Sequence, residues 1–321
     1  MRVLVTGLGG ELGTRVAQLL EERPEVTEIA GVDFLPPRRR LRRTEFHRID
    51  PRRRERLVEF VADFAPQGLA HFGVYEPASR MSPASAAERT ELATIASLSA
   101  AARGGALEAV VVRSGLEVYG RRSPRASVPD EQVPPAPSTP YGMSLLGVEA
   151  MAAGLGRRHD LPVAALRYAP VVGSHVPSPL GRLLRLPAVP VPAFADPPFS
   201  LLHPDDAAAA MAEALIRRVD GPLNVVGPGA ASPWQAARLG GRVPVPIVGP
   251  GWRWAGRIAE LAGAAIAPHI VEVLRFGRTA SGSRAVAELG LDDLKPTQQV
   301  LTELYEWAAI VPLAPVAEEV A

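Results

Sequence analysis

The sequence predicts an α/β fold, a parallel sheet doubly wound by helices, with a smaller C-terminal lobe interleaved with it. Three observations carry that expectation. Short apolar runs alternate with helical patterns through the first two-thirds of the chain, as parallel strands joined by helical crossovers do. A glycine-rich segment, Thr6-Gly7-Leu8-Gly9-Gly10-Glu11-Leu12-Gly13, stands between the first apolar run and the first helical pattern. The chain has 321 residues, 47% hydrophobic and 21% charged, enough apolar material for two domains and no case for global disorder.

In chain order, strands are expected at Arg2–Thr6, Glu28–Asp33, Leu69–Gly73, Glu108–Arg113, Pro162–Arg167 and Pro222–Val226. Helical patterns lie near Glu11–Glu22, Arg52–Phe64, Ala84–Ala102 and Tyr141–Arg158, where apolar residues recur at three- and four-residue spacing. Pro36–Arg43 reads as an arginine-rich loop, and Ser123–Pro140, with six prolines, as an extended one. The proline cluster Pro177–Pro198 has no helical period and is expected to cross the ligand face. Leu201–Arg217 reads as a further strand and helix of the main sheet, and beyond Gly227 the pattern is helical with Gly and Pro breaks. The expected division is residues 1–173, with 199–226 returning to the sheet, and a smaller lobe of 174–198 and 227–321.

Composition narrows the function classes. A formal net charge of +1, from 35 basic and 34 acidic residues, argues against a nucleic-acid or membrane-surface role. Cysteine is absent, which excludes disulfides, iron–sulfur clusters, thiolate zinc sites and a cysteine nucleophile. Lys295 is the sole lysine. Met1 runs straight into the first strand without a signal-peptide pattern, and no stretch of about 18 apolar residues occurs, so a cytoplasmic protein without a membrane span is expected. His71, His175 and His203 are dispersed, with no metal-ligand spacing. Asp205-Asp206 after His203 reads as a helix N-terminal cap.

Gly7, Gly10 and Gly13 permit a tight turn, close backbone approach to a pyrophosphate and close helix–strand packing, while the helix N-terminus offers N–H donors to phosphates. Asp33 ends the second strand, twenty residues after Gly13, where a carboxylate holds adenosine ribose hydroxyls. That favours NAD over NADP, because a carboxylate repels a 2′-phosphate. Arg38, Arg39, Arg40, Arg42 and Arg43 offer the opposing possibility of a phosphate contact, or simply a solvated basic loop.

With these motifs the chain resembles the extended short-chain dehydrogenases/reductases, the NAD-dependent epimerase/dehydratase family. Thr6–Gly13 is similar to the family's TGxxGxxG, Val118-Tyr119-Gly120 to its VYG, and Tyr141-Gly142-Met143-Ser144 with Glu149 to its active-site helix. Phe199–Asp206 and Leu289–Thr297 resemble its later strand-to-helix step and LGWxP segment. The resemblance implies a Rossmann-type fold, with NAD contacts from Gly7, Gly9, Gly10, Glu11, Leu12, Gly13, Asp33, Asp50, His71, Phe72, Gly73 and Tyr141. Asp50 would come from the adenine-side segment His47–Asp50. A nucleotide-sugar ligand and a homodimer are implied as well.

The resemblance also exposes departures. The family's acid/base work is done by a tyrosine, a lysine four residues later and a serine or threonine. Tyr141 matches the tyrosine, but Leu145 stands at the lysine position and Gly115 at the hydroxyl position, with Ser114 one place off register. A phenol left near its ordinary pKa of about 10 is ionised to about a thousandth at pH 7, a deficit of roughly 4 kcal/mol. Glu117 matches the base of the sugar-dehydratase branch, with Leu116 replacing its acidic neighbour. The family's asparagines near Thr90 and at Ala169-Pro170 are missing. Arg167, Arg253, Arg257 and Arg275 are candidate anion contacts or packing residues, and Trp252–Gly277 reads as core or as a lipid-facing pocket. Two functions therefore compete. One is an NAD-binding sensor or non-standard oxidoreductase with a degenerate centre; the other is an active epimerase, dehydratase or reductase using Tyr141 with Glu117, and with Ser114 as the displaced hydroxyl.

Overall fold

The computed structural model describes residues 1–50, 54–78, 81–121, 128–249, 251, 252, 254 and 266–306. Its main sheet comprises β1 (Arg2–Thr6), β2 (Glu28–Asp33), β3 (Thr44–Arg48), β4 (Gly68–His71), β5 (Ala109–Gly115), β6 (Val163–Tyr168) and β8 (Gly221–Val225). These seven strands are parallel, in the order β3-β2-β1-β4-β5-β6-β8. Helices α1 (Glu11–Glu21) and α6 (Pro204–Ile216) pack together on one face. Helices α2 (Arg54–Phe64), α3 (Pro83–Arg103) and α4 (Pro140–His159) cover the other. With both faces covered, the central strands are apolar throughout: Val3, Leu4, Val5, Leu69, Val110 and Val111 are fully buried. The expected doubly wound α/β fold is the fold observed. Strand order reverses between β1 and β4, and a crevice outside the carboxyl ends of the strands opens at such a point.

Proline sets many of the helix starts. Ser82-Pro83, Thr139-Pro140, Ser178-Pro179 and Ser232-Pro233 each place a hydroxyl on an early helix amide, with proline where no donor is needed. His203 does the same for α6, accepting from Asp205 N, while Asp205 and Asp206 occupy the first turn. The cap is thus the histidine, and the aspartates supply favourable charge.

The proline cluster 177–198, read as having no helical period, carries secondary structure of its own. It contains α5 (Pro179–Leu184) and β7 (Ala188–Pro192), and β7 pairs in parallel with β9 (Val243–Ile247) as a separate two-stranded sheet. Thr44–Arg48 forms β3 on the edge beside β2, where no strand was expected. Leu201 belongs to no strand of the main sheet; its neighbour Leu202 makes only an isolated bridge to Val171, so Leu201–Arg217 contributes α6 alone. A second core gathers Leu180, Leu184, Val189, Phe199, Val273 and Leu301. Trp252 is buried in it, as the core reading of Trp252–Gly277 expected, while Arg253 and Arg257 lie outside the described residues. No helix among the described residues is long and apolar enough to cross a membrane.

A buried polar chain ties five elements beside the crevice. Ser114 donates to Glu149 at 2.6 Å, and Arg167 donates to both oxygens of Glu149 at 2.9 and 2.7 Å. Arg167 also donates to Tyr119 Oη at 2.9 Å, which donates to Asn224 at 2.8 Å. The Ser114 hydroxyl thus donates to Glu149 while Ser114 also lines the crevice, and Arg167 is buried in this chain and does not line the crevice.

His71 ends β4. Its ring is fully buried between Thr6 Oγ1, 2.7 Å from Nδ1, and Thr94 Oγ1, 3.1 Å from Nε2. Thr94 donates to the Thr90 carbonyl, so it accepts from Nε2–H and Thr6 donates to Nδ1. The His71 side chain is part of the core under α3 and does not line the crevice, while Phe72 and Gly73 after it do. Burial lowers its pKa to about 4, so between about pH 6.5 and 4 the unfolded chain binds a proton that the folded one refuses. The stability held above pH 6.5 should fall by about 3 kcal/mol as pH drops through that window. Urea unfolding from pH 7 to 4 should show this slope, and His71→Gln should flatten it.

Candidate functional site

A crevice of about 440 Å³ runs from the glycine loop to Tyr141 at the reversal point of the sheet. Gly7 turns the chain with φ +78°, its N–H donating to Val32 O at 3.1 Å, and a Cβ there would meet the Phe72 backbone at 2.9 Å. A side chain on Gly13 would collide with the Gly7 carbonyl. Gly10 differs: it is exposed, and an added Cβ would meet only Gly7 O, at 3.3 Å. Packing does not demand its small size. Gly10 is also the N-cap of α1 and supplies no side-chain cap, so the first-turn amides open onto the crevice. A space left by Gly10 above uncapped amides fits a pyrophosphate.

Asp33 lines the crevice beside this loop, accepting from Gly9 N at 2.9 Å and Leu35 N at 3.1 Å. Two amides use only part of a carboxylate's acceptor capacity. Of the loop arginines, Arg38 alone reaches the crevice, with Nε 3.3 Å from Gly9 O. Arg39, Arg40, Arg42 and Arg43 border a separate groove along α1 and α6. Glu11 is buried and accepts from Arg15 and Arg39, each at 2.9 Å, so its carboxylate anchors that loop. Leu12, Phe72 and Gly73 also line the crevice; Asp50 does not, although Ile49 before it donates to Asp33 O at 3.1 Å.

At the far end Tyr141 sits in the first turn of α4, 6% exposed, its ring 4.6 Å from that of His269. His269 begins helix Pro268–Phe276 and lies 3.1 Å through Nε2 from Glu76, whose other oxygen is 4.0 Å from Arg113. Burial pushes the Tyr141 phenol well above its ordinary value; Glu76 and Glu117 push it the same way and Arg113 pulls against them. Leu145 is fully buried at the next turn of α4. Tyr141 is thus a neutral phenol, further from ionisation than the missing lysine alone implied.

Glu117 stands on the 3₁₀ turn Leu116–Tyr119, 6% exposed and lining the crevice. Among the described residues its carboxylate has no hydrogen-bond or ion-pair partner. It folds over Gly115, where any side chain would collide with it and would stand 3.2 Å from Leu145. Arg278 fixes the turn, donating to the carbonyls of Leu116 at 3.1 Å and Gly120 at 3.0 Å, and is held in turn by buried Glu272 at 3.2 Å. Glu272 also takes hydrogen bonds from Ser138 and Arg121.

The family model for the NAD dependent epimerase/dehydratase family matches residues 3–226. The chain belongs to the NAD-dependent epimerase/dehydratase family. An uncharacterised protein of Mycobacterium tuberculosis is 30% identical over 334 residues, covering 97% of this chain and 85% of the relative. Among solved structures, a UDP-glucose 4-epimerase from Stenotrophomonas maltophila with bound NAD and formylated UDP-arabinopyranose superposes with a TM-score of 0.74 at 22% identity, covering 96% of this chain and 97% of that one. A UDP-glucuronic acid 4-epimerase from Bacillus cereus, in complex with UDP-glucuronic acid and NAD, gives 0.74 at 19%, covering 96% and 98%. At such identities the likeness is one of fold.

Within this family member, sequence reasoning missed the Arg113–Glu76–His269 cluster around Tyr141. Arg113 carried a visible signal, a charge directly following Val110-Val111-Val112. Arg275 lies over the Phe276 ring at 5.1 Å and does not line the crevice. Among the described residues no group of three metal-ligating side chains occurs. The two glycines separate packing from binding. Gly13→Ala should cost about 1–3 kcal/mol through its clash with the Gly7 carbonyl, whereas Gly10→Ala should cost under about 1 kcal/mol. Urea unfolding of both variants without added ligand checks the difference.

Proposed function

We propose that this chain binds NAD and a small ligand in the crevice without the family's Tyr–Lys acid/base chemistry, as a cofactor-dependent sensor or a non-standard oxidoreductase. The observation that carries it is Leu145, buried beside a Tyr141 phenol that its surroundings hold protonated. Bound NAD would supply a hydride acceptor. Gly9, Gly10 and the first amides of α1 would hold its pyrophosphate, and Asp33 would accept from the adenosine ribose hydroxyls with the capacity its two amides leave free. Tyr141 then serves as a hydrogen-bond donor rather than a base.

One observation favours a second reading, an active epimerase, dehydratase or reductase. Of the carboxylates lining the Tyr141 end of the crevice, that of Glu117 makes no hydrogen bond or direct ion pair among the described residues, so it could take a proton from a ligand hydroxyl there. The solved relatives bind nucleotide sugars. Here Arg182 at the exposed rim offers a cation to such a ligand, while Ala169 and Pro170 offer no side-chain donor. Cytoplasmic residence and a homodimer belong to the same proposal.

Calorimetric titration should give NAD at least about tenfold tighter than NADP, because Asp33 repels a 2′-phosphate; tighter NADP would shift the assignment to Arg38. Steady-state turnover with a panel of nucleotide sugars from pH 6 to 10 should be absent or very slow in the wild type. Leu145→Lys should raise it, by at most the factor that roughly 4 kcal/mol represents. Fast wild-type turnover at neutral pH, abolished by Glu117→Gln, would establish the second reading instead.

A further inference from the structure

We propose that the crevice discriminates the oxidation state of its dinucleotide and holds NAD⁺ more tightly than NADH. This rests on the reading above, in which Asp33 holds the adenosine ribose and the nicotinamide therefore lies toward Tyr141. Two carboxylates, Glu76 and Glu117, and one guanidinium, Arg113, line that end. Arg113 faces Glu76 at 4.0 Å, and His269 satisfies the other Glu76 oxygen at 3.1 Å. Tyr141 and Tyr168 are phenols that burial keeps protonated, and Tyr168 donates to the Ala207 carbonyl at 2.8 Å. Arg182 stands at the exposed rim, where solvent screens it.

Arg113 acts on Glu117 as well as on Glu76, so one guanidinium stands against two carboxylates and one negative charge remains, with Glu117 itself 6% exposed and making no hydrogen bond or direct ion pair among the described residues. A cation at position 145, whose side chain packs beside Glu117 over Gly115, would cancel it, and Leu145 does not. A buried anion left without a partner is costly, and a ligand that brings a positive charge relieves that cost. The oxidised nicotinamide ring is cationic and the reduced ring is neutral, while the rest of the dinucleotide is the same in both. The unbalanced carboxylate therefore acts on the difference between the two forms. At an effective dielectric constant of about 20, unit charges several ångströms apart change affinity by roughly ten- to hundredfold.

The test is equilibrium binding of NAD⁺ and of NADH to the full chain, by calorimetry for both and by nicotinamide fluorescence for NADH. The wild type should bind NAD⁺ about tenfold or more tightly than NADH. Glu117→Gln should reduce that ratio by about tenfold, chiefly by weakening NAD⁺, and Glu117→Asp should retain the preference. Should Glu117→Gln fail to fold by thermal melting, Glu76→Gln should reduce the ratio in the same sense, since it frees the charge of Arg113. Equal affinities, tighter NADH, or a ratio unmoved in the folded glutamine variant would overturn the inference while leaving dinucleotide binding in place. Failure to bind either form would overturn the underlying reading.

Discussion

The close contact between Gly13 and the carbonyl of Gly7 sets where α1 begins relative to the end of β1, and the crevice takes its form from that contact. It aims the first-turn amides of α1 at the space left by Gly10. It also brings Gly9 within reach of Asp33, so that the loop and the end of β2 are fixed to one another by a single carboxylate. Since β1 lies next to β4, the same placement puts the loop opposite Phe72 and Gly73. Local backbone packing thus decides the geometry of a site whose side chains come from distant parts of the chain.

The other end of the crevice is held from the opposite direction. Arg278 and Glu272, from the C-terminal part of the chain, clamp the 3₁₀ turn that carries Glu117, and His269 packs on Tyr141. Ser114, Glu149 and Arg167 support the turn from behind, through Tyr119. Glu117 and Tyr141 are held on both sides, and the guanidinium that acts on both, Arg113, is shared with Glu76.

Much of this was legible in the sequence. Strands β1 and β2 matched their expected limits because each is an aliphatic run closed by a turn signal, and the glycine loop with Asp33 is a local motif. β3 was hidden because Thr-Glu-Phe-His-Arg, on the sheet edge, has only one neighbouring strand and no continuous apolar run. α5 is too short to display a helical period. The charged cluster around Tyr141 was hidden for another reason: Glu76 follows β4, Arg113 is in β5 and His269 begins a late helix, and only the fold brings them together. Leu145 and Gly115 could be read as absences, but not the way Glu117 uses the space that Gly115 leaves.

The small sheet of β7 and β9 has a consequence of its own. Val243 N bonds inward to Pro187 O and Ala193 N to Ile247 O. With a period of two, Pro190 and Pro192 on one strand and Pro244 and Pro246 on the other then occupy positions whose nitrogens point outward. Neither outer edge offers amide hydrogens there. Val243 and Val245 are solvent-exposed on β9, a composition that would ordinarily invite a strand from a neighbouring molecule. The alternating prolines make both rims poor templates, so this lobe can carry an apolar, two-edged sheet in water without seeding fibrous association.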